Sequence, residues 1–174
     1  MIESSSLSSQ IRPVVLDDLE RLLVWRNHPT IRRYMYTQHA ITPDEHLQWF
    51  NRASQDQKKH LFIFEENHQP LGFINFSELT CGGGIANWGF YIAPDAPRGS
   101  GRQLGRAALS HAFSALRFHK ICGQALAYNE RSIQLHQSLG FAQEGILRDQ
   151  HFDGERYHHS ICFGLLGLEW QAKP

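Results

Sequence analysis

At 174 residues the chain has the length of one domain with a substantial hydrophobic core. Lysine plus arginine total 17, as do aspartate plus glutamate, so there is no net basic field to argue for nucleic acid, and no apolar run approaches a membrane span. The three cysteines, Cys81, Cys122 and Cys162, are far apart and odd in number, with no zinc or redox spacing, which points to a reducing, cytoplasmic setting.

Residues 1–10 are Ser-rich and lack a basic-then-apolar leader, so they read as a flexible N-terminal lead ahead of a single domain over residues 11–170. Residues 11–15 fit a first strand, and Asp17 is placed to cap a helix running through Trp25. Trp25-Arg26-Asn27-His28-Pro29 ends that helix, with Pro29 fixing the break. A short helical turn over residues 31–36 ends in Met35-Tyr36. Thr42-Pro43-Asp44-Glu45 has the marks of a helix start: an N-cap, a proline in the first turn, and acids that complete a capping box. Leu47, Trp49 and Phe50 give that helix its apolar surface. Residues 60–65 and 70–76 are short apolar runs joined by a hairpin-like loop, and Cys81-Gly82-Gly83-Gly84 then breaks the chain.

A third such strand, residues 86–92, runs into Ala93-Pro94-Asp95-Ala96-Pro97-Arg98-Gly99-Ser100-Gly101-Arg102-Gln103-Leu104-Gly105. Pro94 and Pro97 forbid helix there, while Leu104, Ala108, Ala112 and Leu116 recur every fourth residue and predict an amphipathic helix beyond it. A glycine-rich loop running into a helix N-terminus brings unpaired amides and the positive end of a dipole together, which suits a phosphate or pyrophosphate. The loop lacks the Gly-Lys-Ser/Thr of a Walker motif, and its glycine spacing is not that of a dinucleotide fold. Residues 120–128 read as a strand and 129–139 as a helix stopped by Gly140. Residues 141–148 and 156–168 read as two strands around Asp153-Gly154. The predicted fold is α/β, a central mixed sheet with helices on both faces. The eleven histidines are scattered, and His151, His158 and His159 have no ligand partners at helical spacing, so no metal is expected.

Arg98-Gly99-Ser100-Gly101 resembles the acetyl-CoA loop of the GCN5-related N-acetyltransferases (GNAT), Gln/Arg-x-x-Gly-x-Gly/Ala, with Gln103 departing where a small residue is usual. Asn129-Glu130-Arg131-Ser132-Ile133-Gln134-Leu135-His136 resembles the family's Asn-x-x-Ser/Ala-x-x-Leu-Tyr segment, with His136 in place of the tyrosine. The resemblance spans about residues 11–168. It implies a mostly antiparallel sheet splayed between its fourth and fifth strands. Acetyl-CoA would lie in the gap, its pantetheine arm along Phe90, Tyr91 and Ile92 and its pyrophosphate on Arg98, Gly99, Ser100, Gly101, Arg102, Gln103, Leu104 and Gly105. Asn129 and Ser132 would touch the arm or the phosphates. The reaction is acyl transfer from a thioester to an amine, and protonating the departing thiolate helps. The resemblance implies His136 for that task, with Tyr128 as the reserve donor.

Trp25-Arg26-Asn27-His28-Pro29, Met35-Tyr36 and Glu45-His46-Leu47-Gln48-Trp49-Phe50 resemble the branch of the family that acts on nucleotide-linked amino sugars. That branch includes acetylation of the 4-amino group of a UDP-linked amino-deoxy sugar in pseudaminic acid biosynthesis. It implies Arg33 and His46 at the nucleotide phosphates, and Met35, Tyr36, Trp49 and Tyr91 as the apolar wall of the sugar, with Trp25 and Asn27 in the same acceptor set. Glu78, His39 and His46 are candidate bases for the amine. Two other readings remain: a peptide N-terminal acetyltransferase of the ribosomal-protein type, and a non-catalytic acyl-CoA sensor. A homodimer is left open.

Overall fold

Phe62, Ile63 and Phe64 are fully apolar in a row because their strand is covered on both faces. Phe62 and Phe64 point into one core cluster and Ile63 into the other. The structure, a computed structural model, describes residues 9–79 and 82–171. The expected lead over residues 1–8, and Cys81, lie outside the described residues. Ser9 and Gln10, also assigned to the lead, are strand, paired with Glu66 and Glu65.

The elements run in order as β1 (Ser9–Pro13), a 3-10 turn (Leu16–Asp18), α1 (Leu19–Asn27), α2 (Pro29–Arg32), α3 (Pro43–Gln55), β2 (Lys59–Glu66), β3 (Gln69–Glu78) and β4 (Ile85–Ile92). They continue as α4 (Ser100–Ser114), β5 (Lys120–Leu126), α5 (Glu130–Leu139), β6 (Ala142–Phe152), β7 (Tyr157–Leu166) and α6 (Gly167–Gln171). The seven strands form one sheet in the order β1-β2-β3-β4-β5-β7-β6. Every neighbouring pair is antiparallel except β4 with β5.

Local chemistry explains most boundaries. Thr42 caps α3 as its sequence predicts: Glu45 N–H donates to Thr42 Oγ1 at 3.2 Å, and Thr42 N–H donates to Glu45 Oε2 at 2.7 Å. Asn67 and His68, at φ 50° and 64°, supply the two left-handed residues that a two-residue hairpin turn between β2 and β3 requires. Asp17 does not cap α1. Asp18 beside it is buried instead, its carboxylate accepting from Val15 N–H and from the Arg12 guanidinium. Pro29 is more than a stop. With φ preset, it is the first residue of α2, whose N-cap is His28. That helix ends at Arg32, so Arg33, Tyr34, Met35 and Tyr36 lie in the connection that follows it. The last strand ends at Leu166, and Leu168 belongs to α6.

On one face of the sheet, Leu104, Ala108, Leu109 and Ala112 of α4 pack with Phe64, Phe76, Ile121 and Leu165. On the other, Leu22 and Trp25 of α1 and Ile31 of α2 pack on Ile63, Phe73 and Ala93. Burying each such large side chain stabilises by about 1.5–3 kcal/mol, which fixes both helical layers on the sheet.

Candidate active site

Strands β4 and β5 pair over three positions only, Ile85 with Lys120, Ala86 with Ile121 and Asn87 with Cys122. Beyond that point β4 continues to Ile92 and β5 to Leu126 without pairing to each other. On its far side β4 remains bonded to β3 through Ile92. The backbone groups of β4 that would serve a neighbour on the β5 side are therefore free to bond a ligand lying in the fork. A cleft of roughly 1370 Å³ opens there, reaching from the N-termini of α4 and α5 to α3 and the connection after α2.

Phe90, Tyr91 and Ile92 line this cleft, as do Arg98, Gly99, Gly101 and Arg102 at the start of α4 and Asn129, Arg131 and Ser132 at the start of α5. Gly99 caps α4 at φ 98°, a conformation that favours glycine. Asn129 caps α5 by accepting from Ser132 N–H at 3.2 Å, so its carboxamide is partly committed to the helix. Two helix N-termini and three guanidinium groups at one end make a setting for a multiply charged anion. The rest of the predicted loop faces elsewhere. Ser100 is buried without lining the cleft, and Gln103 is exposed away from it. Leu104 is fully buried in the core. Gly105 is a packing glycine, since a Cβ there would lie 2.5 Å from Leu139 Cδ1 of α5.

The other end of the cleft, expected to take the acceptor, is aromatic. His46 stacks on Trp49 at 5.1 Å, Trp49 meets Phe73 edge-on at 5.9 Å, and Phe73 lies against Tyr91 at 5.1 Å. Burial pushes the Tyr91 phenol up, and its hydroxyl points towards the Leu22 carbonyl at 3.5 Å. Met35 and Tyr36 also line the cleft. The Tyr36 hydroxyl lies 3.0 Å from Gln124 Oε1 and 2.6 Å from Ser160 Oγ, so this connection is strapped across the fork onto β5 and β7.

Several predicted residues are placed otherwise. Trp25 is 7% exposed, in the core and off the cleft. Asn27 clamps the chain ahead of α3, its Nδ2 donating to Ile41 O at 2.8 Å and its Oδ1 accepting from Ile41 N–H at 2.7 Å. Arg33 is exposed, stacks over Tyr34 and does not line the cleft. Arg26 lines the cleft instead. Arg26 Nη2 donates to Thr37 O at 2.9 Å, while Nη1 is buried and unpartnered among the described residues. Desolvation pulls its pKa below the ordinary arginine value. Helical position was the available signal: Arg26 follows Leu22 by four, so it shares the inward side of α1. Tyr128 does not line the cleft. Its hydroxyl donates to Arg33 O at 2.9 Å and accepts from Gln38 Nε2 at 3.3 Å, buttressing the strap. Of the candidate bases, Glu78 pairs with His60 at 3.1 Å and His39 with Glu45 at 3.2 Å; neither Glu78 nor His39 lines the cleft, though Glu45 does. His46, 6% exposed, does line it, and burial and the nearby Arg26 charge lower its pKa from the ordinary histidine value.

His136 reaches the cleft only from within the core. It is 1% exposed and surrounded by Trp88, Phe90, Phe141 and Phe163. Burial lowers its pKa to about 4. Its Nε2 accepts from Trp88 Nε1–H at 3.1 Å and its Nδ1 bonds Ser132 O at 2.7 Å. At neutral pH both ring nitrogens are engaged and neither offers a proton to the cleft, which corrects the acid role expected of it.

A seven-stranded sheet forked between its fourth and fifth strands, with a glycine-capped helix start at the fork, is the architecture of the GNAT class of N-acetyltransferases. Residues 10–142 match the acetyltransferase (GNAT) domain family, and the chain belongs to it. Enzymes of this family draw their acetyl group from acetyl-CoA. The fork, its free strand edge and the paired helix N-termini fit that group.

The chain is 28% identical to "Acetyltransferase PseH" of Campylobacter jejuni, over 83% of this chain and 85% of that one. It is 23% identical to "Spermidine N(1)-acetyltransferase" of Escherichia coli, over 97% and 91%. The spermidine N-acetyltransferase of Vibrio cholerae, solved in complex with CoA and spermine, superposes with a TM-score of 0.87 at 24% identity, covering 94% of this chain and 98% of that one. Among the described residues there is no cluster of three or more metal-ligating side chains, and no helix is long and apolar enough to cross a membrane.

Proposed function

We propose that this chain transfers an acetyl group to the 4-amino group of a UDP-linked amino-deoxy sugar, as in pseudaminic acid biosynthesis. The observation that carries the reading is the charge of the acceptor end. Arg26 brings an unpartnered, buried guanidinium N–H there, and His46 lines the same wall. The single carboxylate among the described residues lining the cleft is Glu45, already bonded to Thr42 N–H and His39. A polyamine carries several positive charges and needs several carboxylates. A nucleotide diphosphate needs a cationic donor, which Arg26 supplies, with the His46 ring as a further N–H donor.

In this reading the start of α4 and α5, with Arg98, Arg102 and Arg131, holds the anionic part of the acetyl donor. Phe90, Tyr91 and Ile92 align its arm through backbone groups. The donor supplies an activated acetyl carbonyl. Arg26 and His46 donate to the acceptor's phosphates. Met35, Trp49, Phe73 and Tyr91 exclude water around the methyl-bearing face of the sugar. A sugar amine beside electronegative substituents titrates near the α-amino range, ~8, so a useful fraction is neutral without a strong base. A backbone N–H of β4 steadies the developing oxyanion; as the C–N bond forms and the C–S bond breaks, the nitrogen gives up a proton to water and the departing thiolate takes one from water.

The test is thiol release from acetyl-CoA with three acceptors: the UDP-4-amino-deoxy sugar, spermidine and a peptide with a free N-terminus. Turnover confined to the sugar is the expected result. Faster turnover of spermidine or of the peptide overturns the assignment.

A further inference from the structure

Trp88 and Gly123 are the first residues past the last paired position of β4 and β5, Asn87 with Cys122. They therefore flank the apex of the fork. Trp88 Nε1–H donates to His136 Nε2 at 3.1 Å, joining β4 to α5 across that apex. Gly123 makes this possible: a Cβ there would lie 2.5 Å from His136 Nε2 and 2.7 Å from Trp88 Nε1. The two rings are braced from behind. Trp88 stacks on Phe141 at 5.2 Å and 18°, and His136 on Phe163 at 4.6 Å and 11°.

The partners also fix the tautomer. An indole N–H only donates, so His136 Nε2 must accept. A carbonyl only accepts, so Nδ1 carries the proton given to Ser132 O. The aromatic and hydrogen-bonding partners of the ring come from β4 (Trp88, Phe90), α5 (Ser132), β7 (Phe163) and the turn after α5 (Phe141), and none of these is titratable.

We propose that His136 is a positioning residue: with Trp88 it forms a strut across Gly123 that sets how far β4 and β5 diverge, and so the seat of the acyl carrier. This rests on the reading that the fork binds acetyl-CoA. Breaking the strut lets the fork relax and weakens carrier binding, while the chemistry of the bound complex is less affected. A catalytic acid would behave in the opposite way.

The test uses W88F, H136F, the double variant and H136Q, whose Oε1 can still accept the indole N–H. CoA affinity is measured by calorimetry, together with kcat and KM for acetyl-CoA and the pH profile of kcat. The Trp88 indole N–H is followed in 15N spectra. W88F and H136F should each weaken CoA about tenfold, the scale of one hydrogen bond. The double variant should be no worse than either single one. H136Q should recover most of the loss, and kcat should lose no pH limb. A wild-type indole N–H that exchanges slowly is expected, and its fast exchange would sink the strut.

The proposal also fails if H136F lowers kcat about a hundredfold or more with KM unchanged, the scale of a lost general acid, while W88F stays near wild type. Should H136F not fold, W88F and H136Q carry the same comparison through CoA affinity and the indole signal. CoA binding and the indole signal need no acceptor. If the sugar is not turned over, the substrate assignment fails while the strut is still tested.

Discussion

Gly105 of α4 and Leu139 of α5 meet where a side chain has no room: a Cβ on Gly105 would lie 2.5 Å from Leu139 Cδ1. Gly99, six residues earlier, has open space around its Cβ position but sits at φ 98°. One glycine-rich stretch thus serves two separate needs, close helix packing and a left-handed cap.

These two glycines should respond differently to alanine. Gly105→Ala crowds Leu139 and should cost about 1–3 kcal/mol of stability, as overpacking does, with CoA affinity little changed. Gly99→Ala strains the backbone by about 1–2 kcal/mol at a residue that lines the cleft, so CoA affinity should fall as well. Urea unfolding and CoA titration on the two variants separate the effects.

Arg12 of β1 holds two buried carboxylates. Its Nη1 and Nη2 reach Asp18 at 2.7 and 2.9 Å, and its Nε reaches Glu65 at 2.7 Å. Burial alone would raise the Asp18 pKa, but the Arg12 hydrogen bonds and the Val15 amide outweigh it and hold the carboxyl below its usual value. Arg12→Ala leaves Asp18 with the Val15 amide and the more distant Arg21, and Glu65 with Gln10, and the loss of three charge-assisted hydrogen bonds at two buried acids should cost about 1–3 kcal/mol. Replacing all three by Met, Asn and Gln should cost much less. Chemical denaturation of both variants gives the comparison, and equal losses would mean that the carboxylates are not the reason.

The sequence was most legible where local chemistry decides the structure. The capping box at Thr42 and Glu45, the α4 stripe from Leu104 to Ala112 and the turn at Asp153-Gly154 depend on neighbours in sequence, and the structure agrees there. The fork was legible through the family resemblance, since no local pattern encodes where two distant strands stop pairing. The site residues were less so. Asn27 and Arg26 are adjacent on α1, but one faces Ile41 and the other the cleft. Which of Arg26 and Arg33 points inward depends on where α2 ends, and Pro29 begins that helix earlier than its apolar residues imply. The environment of His136 depends on Trp88 and Phe163, 48 and 27 positions away, and no spacing rule reveals that pairing.

Arg26 and Asn27 offer a second internal control. Arg26→Ala removes the guanidinium that faces the acceptor end and should raise KM for a nucleotide-sugar acceptor by about tenfold or more, the scale of a charged hydrogen bond, leaving KM for acetyl-CoA unchanged. Asn27→Ala opens two hydrogen bonds to Ile41 and should cost about 1–3 kcal/mol of stability. Steady-state kinetics with both substrates, alongside thermal melts, checks the division. A large KM effect from Asn27→Ala at full stability would return that residue to the acceptor site.

The buried His136 should leave a signature in the pH dependence of stability. Its folded pKa is about 4 against 6.5 for a free histidine, because burial disfavours the charged ring. Between those values the unfolded chain binds the proton and the folded chain does not, so stability falls as pH falls. The contribution is fully present above pH ~6.5, is lost progressively towards pH ~4, and amounts to about 3 kcal/mol across the window. Other groups titrate in the same range, so the measurement is the stability difference between wild type and H136Q at each pH. That difference should shrink by about 2–3 kcal/mol between pH ~7 and ~4.5. A difference that stays constant, or grows as pH falls, would mean that the folded ring titrates at or above its free value. A constant difference would mean that burial does not penalise the charged ring, and a growing one that the ring gains from its proton, so that Nε2 is no longer free to accept from Trp88.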